Sequence, residues 1–95
     1  MNDLPYRVIW RHAVLGHRIG ELLLEFSSQG VSSQPLFAAF DRINQLLSTE
    51  PETCGESRPD SERVMHVYPL TVTFEIHTDE RIVFVTRAHY VRGHD

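Results

Sequence analysis

Three side chains near the C-terminal end of the sequence have the chemistry to work together: Arg87, His89 and Tyr90, in the run Arg87-Ala88-His89-Tyr90. A guanidinium holds a phosphate or carboxylate, an imidazole exchanges a proton near neutral pH, and a phenol donates a hydrogen bond or stacks. A second polar cluster, Gly55-Glu56-Ser57-Arg58, lies in a stretch punctuated by Pro51, Gly55 and Pro59. A carboxylate beside a guanidinium on such a loop is a candidate site, because loops held by a rigid scaffold carry function; a plain solvated loop reads about as well. Each candidate also has a structural reading. His89 can be an ordinary imidazole at a strand end, and Arg63 or Arg87 can pair with Glu62, Glu75 or a loop carboxylate. A surface pair of that kind is worth only ~0–1 kcal/mol.

The elements that must position these groups follow from periodicity. Leu70, Val72, Phe74 and Ile76 alternate with Thr71, Thr73 and Glu75, the period of two of a half-buried strand over Leu70–Ile76. A polar turn, His77-Thr78-Asp79-Glu80, leads into a partner strand over Arg81–Ala88. Upstream, Glu62–Tyr68 reads as a further strand in which Val64, His66 and Tyr68 share a face, with His66 taken as a structural residue. Tyr6–Trp10, β-branched and aromatic, reads as the first strand. Between them the period becomes helical. Leu15, Ile19, Leu22, Leu23 and Phe26 form one stripe, opposite Glu21 and Glu25, with Gly30 as the stop. A second helix opens around Ser33–Pro35, carries Leu36, Phe40, Ile43 and Leu47 on its stripe, and closes at Pro51, ahead of a loop over Thr49–Asp60. The expectation is an α+β fold of order β-α-α-β-β-β, a helical hairpin packed on an antiparallel sheet, with a frayed tail over Val91–Asp95.

Composition narrows the function. Ninety-five residues suit one domain with one core. The net charge is −4, and all nine basic residues are Arg. Residues 1–56 hold four Arg against seven Asp and Glu, and residues 57–95 hold five against six together with four of the six His. A basic footprint of the kind that supports tight, general nucleic-acid binding is missing, which leaves room only for a small site of converging Arg. No unbroken apolar run, Leu22-Leu23-Leu24 among them, comes near the length of a membrane span. The N-terminus shows no secretory signal, and one cysteine, Cys54, forms no internal disulfide, so a cytoplasmic setting is expected. The histidines show no metal-ligand spacing, and Cys54 has no base partner in sequence, which argues for no metal or other cofactor.

The element order, the opening Tyr6-Arg7-Val8-Ile9-Trp10, the Pro51…Gly55 loop after the second helix and the closing strand pair resemble the RelE/ParE superfamily of bacterial type II toxins over residues 6–90. The ending Arg87-Ala88-His89-Tyr90 is similar to the His-Tyr end of YoeB-type members. The sequence departs from the family at Thr71, where an Arg is common three residues before an aromatic, here Phe74.

The resemblance implies an mRNA endoribonuclease that needs no metal, acting by attack of a 2′-hydroxyl on the adjacent phosphorus. Such a reaction takes a base, an acid and cations for the charge developing on phosphorus. On this reading Glu56 is the base, His89 the acid, Arg63 and Arg87 the catalytic cations, Arg58 a substrate-binding cation, and Tyr90 a stacking or phosphate-orienting group. The implied partners are a small antitoxin protein and mRNA or the ribosome. The alternative is a protein-binding module of the same fold without nuclease activity, either gyrase-directed or a decayed toxin, which Thr71 and the acidic charge favour.

Overall fold

The computed structural model describes residues 5–91 and arranges them as helices over one face of a five-stranded sheet. Strand β1 (Arg7–Trp10) leads into a π-helical segment, Ala13–Ile19, which continues as α1 (Gly20–Gln29); α2 (Gln34–Thr49) and a short 3₁₀ turn, Pro51–Thr53, follow. The chain then runs through β2 (Glu56–Ser57), β3 (Glu62–Val67), β4 (Leu70–His77) and β5 (Ile82–Tyr90). The sheet order is β1-β5-β4-β3-β2. The order and layering are those expected, with two refinements. The loop over residues 49–60 contributes β2 as a short edge strand. The sheet is mixed, because β1 runs parallel to β5, from Arg7↔Ile82 to Trp10↔Val85, while the other pairs are antiparallel. Parallel neighbours need a long connection rather than a tight turn, and here everything between the first and last strands supplies it.

The alternation in β4 turns Leu70, Val72 and Phe74 toward the helices, beside Val83 and Val85 of β5 and under Leu36, Ile43 and Leu47 of α2, all at 1 % exposure or less. Each such side chain contributes about 1.5–3 kcal/mol by leaving water. Trp10 fixes β1 to α2: its indole Nε1–H donates to Asn44 Oδ1 at 2.7 Å, and its ring centroid lies 4.6 Å from that of Phe40.

The helix ends match the expected stops closely. Gly30 takes φ 70°, its N–H donates to the Ser27 carbonyl at 3.3 Å, and the Val31 N–H donates to the Phe26 carbonyl at 2.9 Å; this is the left-handed cap for which glycine is selected. At the start of α2, Ser32 Oγ accepts from the Gln34 N–H at 3.2 Å, so the capping hydroxyl sits one residue before the expected Ser33. The first helix differs at its start. Leu15 was expected on the buried stripe, yet it is 40 % exposed, while Val14 and Ile19 are buried. The wider π turn bonds i to i+5 and so brings residues five apart onto one face.

Gly55 has φ 65°, and a Cβ there would overlap the Val64 carbonyl, so only glycine lets the loop lie against β3 and align Glu56↔Val64. Val91 is tied by its N–H to the Pro69 carbonyl at 2.7 Å, and the rest of the expected frayed tail lies outside the described residues. Among the described residues no helix is long and apolar enough to cross a membrane.

Candidate functional site

The side chains that leave the sheet toward solvent at its β5 end do so because β5 changes parity. Val83 and Val85 point to the helices, so strict alternation would send Arg87 and His89 the same way. The register instead steps from Phe74↔Val85 to Thr73↔Arg87, which leaves Thr86 as an extra residue on β5. That bulge turns Ala88 and Tyr90 inward and Arg87 and His89 outward. Ala88 is buried, Tyr90 half-buried, and Arg87 and His89 exposed. The Thr86 hydroxyl donates to the Thr73 carbonyl at 3.3 Å across the bulge.

The face opposite the helices therefore carries four rows set by register. One is Glu56, Val64, Thr73 and Arg87; the next is Glu62, Glu75, Phe84 and Ile9; beyond it lie His77, Ile82 and Arg7; and at the other end are His66, Thr71 and His89. Arg87 Nη2 lies 3.5 Å from Glu62 Oε1, the ion pair anticipated as its structural role. β1 ends opposite Val85, so beyond that point β5 faces the π-helical segment, and the gap between them is a cavity of about 210 Å³ lined by Ala13, Val14, Arg18, Thr86, Arg87, Ala88 and His89. Arg18 is thus a second guanidinium at the Arg87–His89 end of the sheet.

The sequence candidates separate accordingly. Arg87 and His89 come together. Glu56 shares their face but stands three strand spacings from Arg87, about 14 Å. Arg58 is exposed in the turn after β2, where its N–H donates to the Glu62 carbonyl at 2.6 Å. Arg63 is paired in register with buried Phe74 and so belongs to the helix side of the sheet; its Nε donates to the Cys54 carbonyl at 2.9 Å and its Nη2 to the Gly55 carbonyl at 3.3 Å. Tyr90 also faces the helices, its ring 5.2 Å from that of Phe26 in an edge-to-face contact. Neither Arg63 nor Tyr90 shares the surface that holds Arg87 and His89.

Another polar cluster forms at the opposite corner. The Tyr6 hydroxyl donates to Glu52 Oε2 at 2.5 Å, and the Arg81 guanidinium lies 4.2 Å from the Tyr6 ring centroid. The hydrogen bond to the Glu52 carboxylate, with burial behind it, raises the Tyr6 phenol above its ordinary value, and the same bond holds the Glu52 carboxyl below its own. Cys54 is buried, its thiol 3.2 Å from the Glu50 carbonyl, and burial pushes it above the ordinary thiol range. An inert thiol is what that environment gives. Among the described residues no group of three His, Cys, Asp or Glu side chains is placed to hold a metal.

Sequence reasoning took His66 as structural, named Thr71 only as a departure from the family, and passed over Arg18. His66 Nδ1 lies 2.8 Å from Thr71 Oγ1, and Thr71 is in register with both His66 and His89. The two-residue turn Tyr68-Pro69 was the available signal, since it makes His66 and Thr71 cross-strand partners.

A helical layer over one face of a mixed sheet, in the order β-α-α-β-β-β, is a RelE-like fold. Among solved structures the crystal structure of the toxin–antitoxin complex RelBE2 from Mycobacterium tuberculosis is similar, with a TM-score of 0.66 and 15 % identity over 94 % of this chain and 94 % of that one. No protein-family model matches the sequence, and no curated protein matches it.

Proposed function

We propose that this chain is a toxin-fold protein of a toxin–antitoxin pair and that the sheet face opposite the helices is its working surface, where it cuts RNA in the cytoplasm without a metal or organic cofactor. The observation that supports this reading is the bulge at Thr86, which turns Arg87 and His89 outward together beside Arg18. Bulges of this kind recur next to active sites because they re-aim side chains. Arg87 and Arg18 hold the phosphate, and His89 protonates the departing 5′ oxygen. Glu56 and Arg58 lie toward the β2 end, where they contact the flanking strand of RNA. Arg63 and Tyr90 brace the fold behind the surface.

The partner is a small antitoxin whose helix or extended tail covers this face. Ile9, Ile82 and Phe84 give it an apolar strip at the β1 end, and the Arg and His side chains give it a polar end to neutralise. Wild-type protein expressed without that partner is expected to arrest growth and cleave mRNA. Substituting Arg87→Ala and His89→Ala together is expected to lower cleavage by about 10³-fold or more. Unchanged cleavage by the double variant would sink the assignment.

One specific observation favours a second reading, a protein-binding module without nuclease activity. Glu62 pairs with Arg87, Glu56 and Glu75 share the face, and the chain carries a net charge of −4. On that reading a gyrase-directed or decayed toxin fold binds its protein target through the same surface, wild type cuts no RNA, and capture of the partner survives the double substitution.

A further inference from the structure

His66 on β3, Thr71 on β4 and His89 on β5 stand in one row across the open face. Both histidines are exposed, and their Cα atoms are two strand spacings apart, about 10 Å. The 2.8 Å contact from Thr71 Oγ1 occupies His66 Nδ1, leans that ring along the row toward β5, and leaves Nε2 for a substrate. Arg87 is the next outward residue along β5, and Arg18 lines the cavity at its side. Two imidazoles with a gap between them and two guanidiniums at one end match the demands of a phosphodiester whose two reacting oxygens lie on opposite sides of phosphorus.

We propose that His66 and His89 are the catalytic base and acid of an RNA-cleaving site, and that Thr71 is the positioning residue for His66. This deepens the nuclease reading and rests on it. With the Thr71 hydroxyl accepting from Nδ1–H, the lone pair on His66 Nε2 takes the proton of the 2′-hydroxyl. The 2′ oxygen bonds to phosphorus, the bond from phosphorus to the 5′ oxygen breaks, and the His89 imidazolium delivers its proton to that oxygen. The products are a 2′,3′-cyclic phosphate and a 5′-hydroxyl. Water then returns the proton from His66 and reprotonates His89, so no oxidant, reductant or metal enters the balance. Arg87 and Arg18 face the charge that builds on the non-bridging oxygens. Glu56, about three spacings from Arg87, is too far to share that phosphate.

The other charged side chains on this part of the face are the paired Glu62 and Arg87, Glu75 and Glu56, with Arg18 across the cavity.

Purified wild type and variants are assayed on a short single-stranded RNA and on the same strand with a 2′-deoxy residue at the cut. His66→Ala is expected to lower kcat/KM by about 10²-fold or more, to remove the acid limb of its pH profile, and to leave the thermal midpoint unchanged. Thr71→Val is expected to lower kcat by about tenfold with little change in KM, and Thr71→Ser to restore it. Glu56→Gln is expected to cost less than His66→Ala, and the deoxy strand to stay intact. If His66→Ala stays within twofold of wild type while His89→Ala is inactive, or Glu56→Gln costs the more, the His66 assignment falls and the nuclease reading stands. A wild type that cuts no RNA overturns both.

Discussion

The corner where β1 meets the Pro51–Thr53 turn and the open face at the end of β5 are built from the same residue types, arginine, carboxylate and an aromatic or imidazole ring. They use them differently. At the corner the groups are spent on one another. Tyr6 donates to Glu52, Arg81 lies over the Tyr6 ring, and on the neighbouring β3 Arg63 donates to two loop carbonyls. On the open face Arg87 has, among the described residues, a single 3.5 Å ion pair and is exposed, and His66 and His89 are exposed as well. Groups held by several partners at a partly buried junction stabilise the fold, because removing one leaves the others short of a partner. Groups with few partners on an exposed surface add little stability, and they remain available to bind something else. Residue type alone therefore does not tell the two regions apart; partner number and face do.

Inserting one residue between Thr73 and Phe74, opposite Thr86, should break this comparison most severely. With Thr86 paired the bulge is gone, and β5 past Val85 reverts to simple alternation, which drives Arg87 and His89 against α1 and the π-helical segment. Two ionisable groups under a helix layer cost more than about 3 kcal/mol. Loss of the cooperative denaturant transition is the expected outcome, and a native-like transition in the insertion variant would show that the bulge does not set the face. The double substitution of Arg87 and His89 comes next. A loss of 10³-fold in cleavage corresponds to about 4 kcal/mol of transition-state stabilisation, whereas its effect on folding should stay within about 0.5 kcal/mol, as for other exposed positions. Arg63→Ala should invert that pattern. Two charge-assisted bonds to the Cys54 and Gly55 carbonyls are lost, costing about 2 kcal/mol in urea denaturation, while cleavage by the folded fraction stays near wild type. A large fall in cleavage at full stability would return Arg63 to the reacting surface.

The parts of the fold readable in advance were those governed by local periodicity. Leu70, Val72 and Phe74 announced which side of β4 was buried, Gly30 announced the end of α1, and Leu36, Ile43 and Leu47 announced the buried stripe of α2. The parts that were not readable depend on register or on contacts distant in sequence. The inward residues of β5 are Val83, Val85, Ala88 and Tyr90, and the break in that series is visible in the sequence, but which strand carries the extra residue is decided by pairing with β4. Leu15 looked like a stripe residue because the apolar positions at 14, 15 and 19 suit either an α or a π turn. Arg63 and Arg87 were expected to act together as the catalytic cations; β4 lies between their strands, and they face opposite ways. Arg18 lies beside Arg87 and His89 only because β1 ends opposite Val85 and the next segment turns across the strand edge.

The smallest expected effect probes the corner by pH. Tyr6→Phe removes the hydroxyl that donates to Glu52 and leaves the ring under Arg81 in place. In the folded protein the Glu52 carboxyl is held below its ordinary value of 4.5, so its contribution to stability is present above that pH and is lost as pH falls through the depressed value. The Tyr6 phenol is held above its ordinary value of 10.0, so its contribution is present below that pH and is lost as pH rises through the raised value. Between those limits the bond is intact, and the substitution should cost about 1 kcal/mol or less. Outside them the wild-type advantage should shrink from both sides, until the stability curves of wild type and Tyr6→Phe converge in acid and in strong base. Urea denaturation across the pH range measures this directly. Curves that stay parallel from acid to base would mean that the Tyr6–Glu52 bond is as idle as an exposed pair, and the contrast between corner and open face would then rest on Arg63 alone.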